Sequence, residues 1–177
     1  MSRSFKALAI ASAITVIGAA SVIGAKTGGF SFGAQLTGYQ ETPSAVSTTG
    51  NGFFRATVSD DGNSITYELT YADLEGAVQQ AHLHFGQSAV TGPISIFMCT
   101  NLGNGPVGTQ ACPAPPSTVT GTWTVDDLTN LSNERGISAG EWDEFVNAIR
   151  SGVVYANVHS TRWPGGEIRG QLGVLKK

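Results

Sequence analysis

The sequence predicts a mainly β fold, an antiparallel sandwich or barrel carrying one α-helix. Three observations predict it. Short runs rich in β-branched and aromatic residues recur along the 177 residues, separated by Gly, Pro, Asn and Asp. In the clearest of them Ile65, Tyr67, Leu69 and Tyr71 alternate with Thr66, Glu68 and Thr70, the period of two that a strand with one buried face requires. Only one stretch, 138–151, keeps a helical period. A chain of this length can bury one core without dividing, so residues 26–177 read as a single domain.

The expected strands begin at Phe30–Leu36, followed by a polar segment 44–52 too rich in Ser, Thr and Gly for a core element. Phe53–Val58 and Ser64–Ala72 flank Asp60-Asp61-Gly62-Asn63, whose residues tolerate positive φ and so signal a hairpin. Ala77–Phe85 and Ile94–Cys99 come next, the second introduced by Thr91-Gly92-Pro93. Ser117–Val125, Val153–Ser160 and Glu167–Leu175 complete the set, with Pro164-Gly165-Gly166 as the turn between the last two. In the helix, Ser138 and Glu141 have capping-box spacing, and Ile137 with Trp142 has that of a hydrophobic staple. Trp142, Phe145, Val146 and Ile149 then recur at i, i+3, i+4 and i+7 up to Gly152, where a left-handed cap is expected.

The N-terminus reads as an export signal. Arg3 and Lys6 precede an uncharged stretch from Ala7 to Ala25 rich in Ala, Ile and Val. Residues 1–25 are thus a cleaved signal peptide or, since 19 uncharged residues approach the ~20 of a bilayer span, a retained membrane anchor. Either places the domain in the periplasm or outside the cell. Without those residues eight basic side chains face 13 acidic ones, a balance that argues against nucleic acid or an anionic membrane surface as partner. In an exported chain Cys99 and Cys112 are expected to form a disulfide, worth about 3 kcal/mol in the chain-entropy account; free thiols or thiolate metal ligands are the alternative.

The chemistry-bearing residues are the three histidines. In Ala81-His82-Leu83-His84-Phe85 the two imidazoles share one strand face while Ala81, Leu83 and Phe85 share the other. In Val154-Tyr155-Ala156-Asn157-Val158-His159 the third histidine again lies opposite an apolar row. If these strands are neighbours, His82, His84 and His159 converge on a patch outside the core and can ligate a metal ion. Copper leads zinc, because three nitrogen donors on an open sheet face bind Cu(II) most strongly of the divalent series and structural zinc takes four ligands. A water, Glu167, Tyr155 or Met98 is available as a fourth donor. A structural polar cluster and a contact patch for another exported protein remain as alternative readings. Trp163, beside Arg162, offers an exposed indole next to the patch. No phosphate loop or nucleophile elbow is present, and Asp60-Asp61 and Asp126-Asp127 sit where turns and caps use them.

Three stretches together resemble the CHRD domain, a family named for repeats in chordin and found singly in exported bacterial proteins. They are Leu36-Thr37-Gly38-Tyr39-Gln40-Glu41-Thr42-Pro43, Ala81-His82-Leu83-His84 with Gly92-Pro93, and Asn157-Val158-His159 running into Pro164-Gly165-Gly166-Glu167-Ile168-Arg169-Gly170-Gln171-Leu172. The resemblance spans residues 34–175; Ser44, where a second proline is usual, and the cysteine loop depart from the pattern. It implies an immunoglobulin-like Greek-key barrel distantly similar to copper-zinc superoxide dismutase, with His82, His84 and His159 as the residues to examine and Arg169 loosely placed beside them. With only three histidines, a two-metal site of that enzyme's kind is excluded. Copper binding for storage, delivery or simple redox chemistry, and a non-catalytic adhesion or ligand-binding module, are the two functional classes left open.

Overall fold

A computed structural model describes residues 28–175; the expected signal or anchor, residues 1–25, lies outside the described residues. Among those described, no helix is long and apolar enough to cross a membrane. Nine strands form one antiparallel sheet: β1 (Ser31–Thr37), β2 (Asn51–Val58), β3 (Ile65–Ala72), β4 (Val78–Phe85), β5 (Ile94–Thr100), β6 (Ser117–Trp123), β7 (Val154–Ser160), β8 (Ile168–Gln171) and β9 (Gly173–Val174). The order β5-β4-β7-β8-β1-β2-β3-β6, with β9 on β1, curls until its two edges nearly meet. Side chains close the remaining seam. Tyr67 Oη donates to the Met98 carbonyl at 3.2 Å and Trp123 Nε1 to the Phe97 carbonyl at 3.0 Å, so β3 and β6 reach the free edge of β5 without a backbone ladder.

The strand expectations hold with small shifts at their ends, except that the last one is two. β8 pairs with β7, whereas β9 pairs with β1. Residues Ile65, Tyr67, Leu69 and Tyr71 point into one core with Phe32, Phe54 and Trp123, as their alternation requires. Cys99 and Cys112 are disulfide-bonded and both are buried.

The helix is shorter than its sequence signals. α1 runs Trp142–Arg150 rather than 138–151, because Gly140 adopts φ +92° and holds residues 138–141 in a separate turn. Half of the capping box survives across that turn, with Glu141 Oε2 accepting from the Ser138 amide at 2.6 Å. At the other end the expected cap is present: the Val153 amide donates to the Ala148 carbonyl and the Gly152 amide to the Ile149 carbonyl. Trp142 Nε1 bonds the Gly62 carbonyl, docking α1 on the β2–β3 hairpin while Phe145 and Ile149 fill the core.

Candidate metal centre

β4 and β7 are neighbours, with His82 opposite Asn157, His84 opposite Tyr155 and Gln80 opposite His159. The apolar sets of both strands, Ala81 and Leu83 with Val154, Ala156 and Val158, face the barrel core. The histidines therefore share the other face, and one ring nitrogen from each lies within 4.8 Å of the others.

That face is not open to solvent, which corrects the expectation of an exposed patch. His82 is 0 % exposed, His84 7 % and His159 6 %, and all seven residues of β7 are buried. Covering comes from loops that alternation within strands does not report. The segment after β1 brings Glu41, whose Oε1 accepts from Asn157 Nδ2 at 2.6 Å. The β4–β5 loop lays the Gly92 carbonyl on His84, and the β7–β8 loop lays the Pro164 carbonyl on His159. Phe97 of β5 meets His82 edge-on at 4.9 Å. Trp163 is half-buried rather than exposed and bonds Glu75 through Nε1.

The hydrogen bonds dictate the tautomers of the neutral rings. A carbonyl only accepts, so His84 Nδ1 donates to Gly92 O at 2.9 Å and His159 Nδ1 donates to Pro164 O at 2.9 Å. His84 Nε2 then holds a lone pair and accepts from His82 Nδ1 at 3.1 Å. All three Nε2 atoms carry lone pairs; those of His82 and His159 are buried with no partner. Orientation of imidazoles by backbone carbonyls at Nδ1, leaving Nε2 free, is the usual outer-sphere arrangement for metal-ligating histidine. Ligation at about 2 Å places nitrogens roughly 3.3 Å apart; one nitrogen from each ring already lies within 4.8 Å of the others, so an ion among them requires loss of the His82–His84 bond and reorientation of the rings. The residues present fit a metal.

Electrostatics keep the donors available. Burial pushes all three imidazoles down, His84 to about 3, and mutual proximity pushes His82 and His84 further. They are neutral throughout the physiological range. Burial raises the Glu41 carboxyl to about 7 against the opposing hydrogen bond from Asn157 and the charge of Arg169. Arg169 lies 3.4 Å above the Tyr155 ring, whose other face stacks on His84 at 4.7 Å. Its guanidinium also bonds Thr42 Oγ1 and the Gln87 and Val90 carbonyls, fastening the β4–β5 loop over the cluster. Gly92 is fixed in that loop by space: a Cβ there meets the Phe85 carbonyl oxygen at 1.9 Å.

Of the fourth donors named from sequence, Tyr155 and Met98 are engaged elsewhere, and Glu167 lies outside the clustered donor set with its Oε2 buried and unpartnered. Glu167 Oε1 accepts from Thr48 Oγ1 and the Glu75 amide, Met98 lies in the core, and Tyr155 Oη approaches the Gly92 backbone. Glu41, Phe97 and Gln87 were given no place at the cluster by their spacing in sequence, since each arrives from a different loop or strand. Arg169 is now placed: β8 directs it to the Tyr155 ring.

Barrel and cluster define the class of protein: a nearly closed antiparallel β-barrel domain with a covered tri-histidine centre on one wall. The chain belongs to the CHRD domain family, whose model matches residues 32–172. Comparison with curated proteins and with solved structures returned no match.

Proposed function

We propose that this chain is an exported metal-binding domain whose ion, copper ahead of zinc, is held by His82, His84 and His159. The observation that carries the reading is three buried imidazoles with one ring nitrogen each within 4.8 Å of the others, two of them, His82 and His159, keeping an unpartnered Nε2. A purely structural polar cluster leaves both without partners at a cost of roughly 1–3 kcal/mol each, whereas an ion satisfies both. Bound copper supplies a Lewis-acidic and redox-active centre. The chain's residues orient the imidazoles through Gly92 and Pro164 and cover them with Phe97 and the β4–β5 loop. Such an enclosure suits binding, storage or delivery of the ion. The disulfide and the family are compatible with an exported protein, and the charged leader at residues 1–25 supports a periplasmic or extracellular setting.

Metal-stripped protein titrated with copper and zinc salts, followed by native mass spectrometry, tests the reading. One ion per chain is expected, with loss of binding in His84→Ala and His159→Ala. The competing reading, a non-catalytic adhesion or ligand-binding module with a structural histidine cluster, stands if no ion binds the wild type.

A further inference from the structure

We infer that the tri-histidine centre selects a monovalent ion, Cu(I), over divalent copper or zinc; this rests on the metal-binding reading above. Charge is the first reason. Among the described residues the cluster contains imidazoles alone, with no carboxylate or thiolate within ligand distance. Both cysteines are consumed by their disulfide. Of the two buried carboxyls, Glu41 Oε1 accepts from Asn157 and Glu167 Oε1 from Thr48 and the Glu75 amide; Glu167 Oε2 has no partner but is not among the clustered donor atoms. Three neutral donors thus leave the ionic charge uncompensated by any coordinating anion in a site 0–7 % exposed. The cost of placing an ion in a low-dielectric region rises with the square of its charge, so a divalent ion bears about four times the penalty of a monovalent one.

A fixed positive charge acts in the same direction. Arg169 sits 3.4 Å above Tyr155, and Tyr155 stacks at 4.7 Å on His84, so a single ring separates the guanidinium from that imidazole. Its repulsion is twice as large for a divalent ion.

Coordination number is the third reason. Cu(II) takes tetragonal geometry and structural Zn(II) takes four tetrahedral ligands. A closed-shell d10 Cu(I) ion is satisfied by three nitrogens. Of the protein groups named as a fourth donor, Tyr155 Oη is turned to Gly92, Glu167 lies outside the clustered donor atoms and Met98 faces the core.

Charge and oxidation state are separated by using four ions on the metal-stripped full chain under anaerobic conditions. Cu(I) is supplied as its acetonitrile complex, without reductant, so that the disulfide stays intact. Cu(II) is the oxidised comparison, and Ag(I) and Zn(II) are redox-inert ions of charge one and two. Affinities are read by competition with chelators of known strength, and the imidazole signals are followed by nuclear magnetic resonance. The expected result is one Cu(I) or Ag(I) per chain, shifting all three imidazole signals, with Cu(II) and Zn(II) weaker by on the order of 100-fold or more. Equal or tighter binding of Cu(II) or Zn(II) at the same imidazoles overturns the selectivity while the metal reading stands. Cu(I) or Ag(I) bound without movement of the imidazole signals overturns it as well. If none of the four ions binds, the metal reading falls and the selectivity with it.

Discussion

His84 and Tyr155 lie face to face across the β4–β7 pair, their ring centroids 4.7 Å apart and their planes 2° from parallel. The same tyrosine carries Arg169 on its opposite face, so a histidine of the cluster, an aromatic ring and a cation form one continuous stack. Strand pairing opposes His84 to Tyr155, and the guanidinium then reaches beyond the sheet to hold the covering loop.

The first prediction concerns acid stability of the metal-free protein. The imidazoles have folded-state pKa values below the unfolded 6.5, so unfolding takes up protons in acid. Their stabilising contribution is complete above about pH 6.5 and is lost as pH falls below it. Glu41 works oppositely: its pKa is raised from 4.5 to about 7, so its contribution is complete below 4.5 and is lost as pH rises toward 7. The imidazoles together outweigh one carboxyl, and between pH 5 and 6 stability should fall by on the order of 1 kcal/mol or more per unit of acidification. Urea unfolding at a series of pH values checks this; a flat profile from pH 7 to 5 contradicts it.

Replacing His82 by Ala should do more than remove a ligand. His82 is fully buried between Phe97, His84 and His159, so truncation leaves a cavity. We expect metal-free His82→Ala to lose roughly 1–3 kcal/mol of stability along with copper binding. Denaturant midpoints of wild type and variant, each stripped of metal, give the difference. An unchanged midpoint contradicts the buried placement.

Arg169 should govern the cover. Arg169→Ala removes the guanidinium from the Val90 carbonyl, leaves the Gln87 carbonyl with the Val90 amide alone and takes the cation from Tyr155, a loss of roughly 1–3 kcal/mol locally. Hydrogen exchange should accelerate in residues 86–92 and the imidazole signals should broaden, with exchange in β2 and β3 little changed. Uniform acceleration across the barrel argues instead for a global role.

The disulfide ties the end of β5 to the start of the return toward β6. Replacing both Cys99 and Cys112 by Ser should cost about 3 kcal/mol and lower Tm by roughly 6–12 °C. Calorimetry of the double variant measures this. Copper binding should persist, because neither sulfur belongs to the histidine cluster.

Much of this architecture was legible in the sequence because it depends on periodicity. Alternation in 65–71 set the core face of β3, and the same rule separated Leu83 from His82 and His84 and Val158 from His159. Spacing, with an N-terminus that reads as an export signal, pointed to the disulfide. The i, i+3, i+4, i+7 stripe placed Trp142, Phe145 and Ile149 on the buried side of α1, although one glycine in positive φ moved its start.

By itself, then, the sequence determined the strands, their inward residues and the common face of the three histidines, since each follows from side-chain direction along one strand. Only the tertiary structure decided that this face is covered. Glu41, Gly92 and Pro164 are far apart in sequence, and their loops close over His82, His84 and His159 only once β4, β7 and β8 stand side by side. A polar strand face and a solvent-exposed one are the same pattern in sequence; what separates them is whether distant loops satisfy the polar groups in place of water.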